Sequence, residues 1–370
     1  MNYFRRIFSG LDPYLMGAVF VLLGFSVIAL ISSNQTRGMH DELTQFGAIA
    51  IGLVLLVALA LAHPKTVHRS RYAVALIAFA LMSALPIFGR VVNGSRSWFF
   101  IGPFSFQPIE FAKVALVIIL ASILPLHARA RSLRAVISAS IVTAIFSVLI
   151  LLQPDLGSAM IIIGLWCAML LVSGVPRRYI VVLFFAAIAI GALAWQFVLH
   201  DYQKARVLIF LDPSRDPLGR GYNVTQAQIA VGSGGFLGAG FASGTQSQLR
   251  FLPESQTDFV FSLLAEELGF LAVTLLIAAL MVVVWRLYRL ARRAPDDFSQ
   301  FLAIGAATLL TTETFVAVGG NIGLLPMTGI TLPFVSAGGS SMVAHLALIG
   351  LAQGVSRAAS RNVNVHEGRT

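Results

Sequence analysis

Cysteine and charge are both scarce in this 370-residue chain: there is one Cys, and Asp, Glu, Lys and Arg together make up 11%, against about a quarter in an ordinary soluble protein. A lone Cys167 excludes an intramolecular disulfide and any cysteine-based metal centre. It lies inside an apolar run, where it is expected to pack. So little charge excludes a soluble globular class. Acidic residues are fewer than basic ones, 16 against 26 with a formal net charge of +10. The basic residues are not clustered with aromatics, as a nucleic-acid partner would want. Seven histidines, His345 among them, are scattered without ligand spacing, so no histidine metal centre is expected.

Hydrocarbon is what the chain has in abundance. It is 57% hydrophobic with a mean hydropathy of +0.84, and a membrane span needs about 20 apolar residues. Ten segments qualify: Tyr14–Ile31, Phe46–Ala62, Tyr72–Phe88, Phe106–Leu126, Ala135–Leu152, Gly157–Val172, Tyr179–Leu199, Phe259–Leu287, Phe301–Val318 and Met342–Val355, the last expected to begin earlier, near Phe334. The expected fold is an all-α polytopic membrane protein, with residues 1–370 forming a single membrane domain. Arg5 and Arg6 ahead of the first run resemble a signal peptide, but no small-residue cleavage pattern follows, so the run reads as an uncleaved anchor. Placing both termini in the cytoplasm puts 17 of the 26 Lys and Arg on that side, including Lys65, Arg69, Arg71, Arg134 and Arg286. The positive-inside rule selects that orientation.

Two segments outside the runs are unusual. The connection between the seventh and eighth spans, about 200–257, carries two Asp-Pro pairs and then Gly232, Gly234, Gly235, Gly238, Gly240 and Gly244. That density predicts a turn-rich segment with at most a short helix near Val224–Val231. Long loops with such specific turn chemistry are more often functional than idle. The second segment, about 319–341, has no charge and is broken by Gly and Pro. It is expected to be re-entrant or interfacial, because irregular backbone at membrane depth needs protein or a wet cavity around it; a loop folded over the helix ends is the alternative. No internal repeat of the transporter kind is visible.

Charged residues in or beside the apolar runs are the chemical candidates. Asp258, in Phe-Leu-Pro-Glu-Ser-Gln-Thr-Asp-Phe (Phe251–Phe259), stands where the long connection enters a span. An acid there costs free energy unless it has a partner or a task. Glu110 and Lys113 are three apart, share a helix face and can pair, for structure or for function. Glu266, Glu267 and Glu313 invite structural pairing, and Asp155 either caps the sixth span or contributes to a site.

The motifs together carry a resemblance. Asn93-Gly94-Ser95-Arg96 with Trp98, Gly102–Gln107, Glu110–Lys113, Gln153–Gly157, Phe210–Pro213, Gly232–Gly235, the Phe251–Phe261 block, Ala265–Phe270 and the Gly323–Ser341 loop stand in the order of the SEDS (shape, elongation, division and sporulation) family. The wording is nearest its RodA-like members. The resemblance covers nearly the whole chain. It implies a peptidoglycan glycosyltransferase that polymerises lipid II outside the cytoplasmic membrane and releases undecaprenyl pyrophosphate, with the family's essential acid at Asp258. It also implies a class B penicillin-binding protein as transpeptidase partner, alongside other elongation-complex proteins. Two positions depart from the family pattern: Gln256 stands where His is usual and Ala337 where Tyr is common.

Such a transfer needs a base for the attacking sugar hydroxyl and positive charge for the departing pyrophosphate. Asp258 is the expected base. Lys113, Arg96 and Arg206 are the expected cation contacts, with Glu110 and Asp155 as further substrate-binding candidates. No cofactor is required, and a divalent cation is a candidate assistant without visible ligand spacing. Two other classes compete: a flippase for lipid-linked precursor, using Glu110, Lys113, Glu266, Glu267 and Glu313 as a polar path, and a non-catalytic scaffold for a penicillin-binding protein.

Overall fold

The computed structural model describes residues 10–34, 40–92, 95–101, 104–124, 133–197, 201–216, 219–249, 251–252 and 254–367. Among the described residues, each of the ten expected runs overlaps one helix: α1 (Pro13–Asn34), α2 (His40–Leu61), α4 (Arg71–Phe88), α5 (Pro108–Ile123), α6 (Leu133–Leu151), α7 (Leu156–Val172), α8 (Arg177–Phe197), α12 (Val260–Ala291), α13 (Asp297–Asn321) and α14 (Gly339–Glu367). Among the described residues, seven of these helices are long and apolar enough to cross a membrane: α1, α2, α4, α6, α12, α13 and α14. A short α3 (Pro64–Arg69) precedes α4. In hydrocarbon every backbone N–H and C=O must be satisfied within the protein, which is why Leu-, Val- and Ala-rich runs become helices here. Large apolar side chains such as Phe20, Val54, Ile77 and Phe185 point outward from the bundle. This is a multi-pass membrane protein.

The helices α13 and α14 form the buried centre. α14 packs along α2, and α13 lies against α5, α7 and α12. At one end Asp12 ties three helices together: its carboxylate accepts the Tyr14 and Leu15 amides at 3.1 Å, capping α1, and Arg286 Nε of α12 at 2.8 Å, while its amide donates to Gln353 of α14 at 2.8 Å.

Three expectations need correction. The 200–257 connection is far more helical than its Gly and Pro content predicts: it holds α9 (Asp201–Leu211), a 3-10 turn (Pro213–Arg215), α10 (Arg220–Ser233) and α11 (Thr245–Gln248). Its glycines serve close approach to α12 as well as turning. The final helix begins at Gly339 and not near Phe334, because Phe334 takes φ +64° within a turn. Cys167 is exposed on α7 and does not pack inward. A sheet of three short strands, β1 (Arg90–Val92), β2 (Ser95–Ile101) and β3 (Phe104–Phe106), joins α4 to α5, with Val91 opposite Arg96 and Phe100 opposite Ser105.

The most informative irregularity is in α12, which breaks at Gly269 (φ +75°, ψ −174°). A Cβ at Gly269 would lie 2.2 Å from the amide nitrogen of Gly238. Only glycine fits both the dihedral and the space. Backbone groups freed by the break bond to the inserted 234–240 segment: Ala239 and Gly240 donate to the Glu266 and Glu267 carbonyls at 2.9 and 3.0 Å, and Phe270 donates to Gly235 O at 2.9 Å. The stretch Phe270–Ala291 alone is about 33 Å long, enough for a span. The Val260–Leu268 portion is free to build the loop end.

Candidate active site

Residues 254–259 make a tight turn ahead of α12. The Glu254 carbonyl accepts from the amides of Thr257, Asp258 and Phe259 at 3.1, 3.2 and 3.3 Å. Phe259 anchors the turn by burying itself with Ala227 of α10, Leu252 and Met327. Asn321, the last residue of α13, clamps it from the other side: Nδ2 donates to the Asp258 carbonyl at 2.9 Å, while Oδ1 accepts from Ser262 N and Oγ at 3.2 and 2.8 Å. Asp258 is left partly exposed just before the N-terminus of α12, where the helix dipole favours negative charge.

The uncharged 322–338 segment forms the opposite wall, and Ile330, Leu332, Phe334 and Val335 bury it in the bundle. Ser336 Oγ donates to the Thr257 carbonyl at 2.6 Å and accepts the Leu332 amide at 2.9 Å. Ala337 N donates to Gln256 O at 2.8 Å. The two departures from the family pattern are therefore hydrogen-bonded neighbours. Gln256 Oε1 in turn accepts from Ser33 Oγ of α1 at 3.1 Å. Gly329 has φ +75°, and a Cβ there would sit 3.3 Å from Asp258 Oδ2. A Cβ on Gly157 would lie 2.7 Å from the Thr328 carbonyl, so Thr328–Gly329 runs between the start of α7 and Asp258. Of the four described non-glycine residues with positive φ, Glu254 and Phe334 belong to these two walls. Such conformations cost about 1–3 kcal/mol each and persist where the surroundings impose them.

Beneath the site lies a buried charge cluster. Lys113 Nζ meets Glu110 Oε2 at 2.8 Å, as the i,i+3 spacing implies, and also hydrogen-bonds Glu313 Oε1 of α13. Glu313 Oε2 meets His345 Nε2 of α14 at 2.7 Å, and the His345 ring lies 5.4 Å from that of Phe334. Lys113, Glu313 and His345 are each 2% exposed or less. Candidate ligand atoms of Glu110, Glu313 and His345 fall within 4.8 Å of one another. The Lys113 ammonium bonds both carboxylates, so the group fits an internal ion network better than a metal cage. The contacts Glu313–His345–Phe334 link this cluster to the 332–337 turn that holds Gln256 and Thr257.

The other candidates are spread around this centre. Asp155 caps α7, accepting Ser158 N at 3.0 Å and Ser158 Oγ at 2.7 Å. Arg96 on β2 donates to the Pro86 carbonyl of α4 at 2.8 Å. The side chain of Arg206 lies outside the described residues. Glu266 accepts the Gln246 and Ser247 amides at 2.7 and 3.1 Å, and Glu267 accepts Ser32 Oγ of α1 at 2.6 Å, Gln248 Nε2 at 2.8 Å and Ala242 N at 3.1 Å. Both acids fasten the glycine-rich segment and do not line a path through the bundle. Sequence reasoning missed Asn321, Ser336 and His345. Their one signal is a polar side chain at an otherwise apolar helix end or core position.

A helical bundle that shelters an irregular wall and presents one carboxylate at the entrance of a broken helix defines a multi-pass membrane protein with a candidate site at that helix entrance. The family model for FtsW/RodA/SpoVE cell cycle proteins matches residues 10–361, and the chain belongs to that family. It is 36% identical over 346 residues to the peptidoglycan glycosyltransferase MrdB of Escherichia coli K12, covering 93% of both chains. A chain from a solved peptidoglycan synthase complex, described as coordinating polymerization and crosslinking, superposes with a TM-score of 0.80 at 31% identity, covering 94% of this chain and 98% of that one. The rod shape determining protein RodA of Thermus thermophilus superposes with a TM-score of 0.70 at 27% identity, covering 95% and 98%.

Proposed function

We propose that this protein is a peptidoglycan glycosyltransferase of the bacterial inner membrane that polymerises lipid II on the outer face, as one membrane domain with ten spans, a sheltered 319–341 loop and both termini in the cytoplasm. The observation that carries the reading is Asp258, partly exposed at the entrance of α12, its carbonyl held by Asn321 and the carbonyl of its neighbour Thr257 held by Ser336 of the 332–337 turn.

Asp258 takes the proton from the 4-hydroxyl of the acceptor's N-acetylglucosamine as that oxygen attacks the anomeric carbon of the donor's N-acetylmuramic acid. The bond from that carbon to the pyrophosphate oxygen breaks, and undecaprenyl pyrophosphate departs with the electron pair. Inversion converts the α-linked donor into a β-1,4 glycan. So good a leaving group needs no acid, unlike the leaving groups of glycosidases that use two carboxylates. Arg206 and Arg96 are the proposed pyrophosphate contacts, Arg96 by exchanging Pro86 O for phosphate oxygen, and a divalent cation would serve the same charge. Glu110 and Lys113 act from below as the charged floor of the site, and Asp155 acts through the start of α7. The solved synthase complex supports a class B penicillin-binding protein as partner.

The test is incubation of the purified protein, alone and with its transpeptidase partner, with lipid II. Glycan strands that a muramidase digests are expected. Their absence in both conditions would leave the flippase or scaffold reading in possession.

A further inference from the structure

A groove of about 750 Å³ opens between α4, α5 and α6, and its lining shares no residue with the walls around Asp258. Its walls are apolar, with Leu76, Phe79, Ile119, Val142 and Ile145, and its rim carries Arg71 and Arg134, with no acid in its lining among the described residues. Arg71 is the first residue of α4 and Arg134 the second of α6, so two helix N-termini converge on the same rim. Arg71 is held there by donating to the His68 carbonyl at 2.8 Å and by lying 4.4 Å from the centre of the Tyr72 ring. Arg71 and Ser122 also line an adjoining hollow of about 790 Å³ that adds Lys65, His68 and Arg69. Asp296 and Asp297 face that hollow too, and Asp296 is engaged in capping α13 through Ser299 N at 2.9 Å.

We propose that this groove binds one anionic glycerophospholipid, its phosphate between Arg71 and Arg134 and an acyl chain along Phe79, Ile119 and Ile145. Three observations select that occupant. The rim is cationic and the depth apolar, the charge pattern of a lipid headgroup over its chain. The groove is open toward the hydrocarbon, since Leu76, Phe79 and Ile145 are exposed on its flank. From Arg134 to Ile145 the helix rises about 16 Å, close to half of a hydrocarbon core about 30 Å thick, so the groove serves one leaflet. That leaflet is the cytoplasmic one, which rests on the topology proposed above. The proposed reaction lies at the opposite face, so the occupant is a resident lipid and not the glycan donor.

Native mass spectrometry of the full-length protein, given phosphatidylglycerol and phosphatidylethanolamine in equal amounts, tests this directly. Wild type is expected to retain the anionic lipid at least about ten-fold over the zwitterionic one, and Arg71→Gln with Arg134→Gln to weaken that retention about thirty-fold. Equal retention of the two lipids by wild type, or unchanged retention by the double variant, would overturn the proposal. If the double variant does not fold, Ala75→Trp fills the apolar wall and leaves both arginines in place. It should lose the lipid, and full retention would show surface attraction without a groove. Millimolar inorganic phosphate should not displace the lipid; displacement would mean a free-anion site. Asp258→Ala should retain lipid as wild type does, so failure of the enzymatic reading and failure of this one are read separately. An inverted topology would leave retention intact and be seen by labelling from either side.

Discussion

Lys113 sits between two carboxylates in the bundle interior, and Glu313 in turn holds His345. Removing one partner of such a group leaves a buried charge uncompensated, at a cost of about 3–5 kcal/mol. Lys113→Met and Glu313→Gln should each lower unfolding stability in detergent by that order. The double variant should cost less than the sum by at least about 1 kcal/mol, because the two act on one network; strict additivity would contradict the coupling. At this scale the sequence was half legible. Glu110 and Lys113 announce themselves by being three apart on a helix, whereas the Glu313 and His345 side chains come from separate helices and meet only through packing. Asp258 stands out in the sequence because acids at a boundary are rare. Asn321, which holds its carbonyl, and Ser336, which holds that of Thr257, do not, since a single Asn or Ser costs too little to stand out.

The element that shapes the site is α12, split at Gly269 so that the 234–240 segment can close over its freed backbone. A methyl at Gly269 meets the Gly238 amide nitrogen at 2.2 Å in a dihedral region unfavourable to L side chains. Gly269→Ala is expected to destabilise by about 1–3 kcal/mol or more and to speed amide exchange at Ala239, Gly240 and Phe270. Unchanged exchange at those three amides would refute the interlock. Hydrophobic runs predicted the apolar helices well, because run length and composition are local properties. The helices of the 200–257 connection were underestimated, since glycine there reads as a breaker although Gly232 lies inside α10. Whether a glycine turns the chain or admits a neighbour depends on what approaches it, and that is not local.

On the scale of the whole molecule, the claim is a bundle with its reaction face outside and its basic face inside. With Cys167→Ser as background, Ser243→Cys should react with a membrane-impermeant maleimide on intact cells, and Ser70→Cys only after permeabilisation; both serines are exposed. The reverse pattern would invert the topology. The proposed orientation rests on charge asymmetry in the sequence, while the joining of three distant segments around Asp258 needed the fold. The most direct test of the account is lipid II polymerisation by purified wild type, Asp258→Ala and Asp258→Asn, with unfolding temperatures measured on the same samples. Loss of a general base predicts at least about a hundred-fold slower glycan synthesis in both variants with near wild-type unfolding. Polymerisation at the wild-type rate by either folded variant would contradict the role of Asp258.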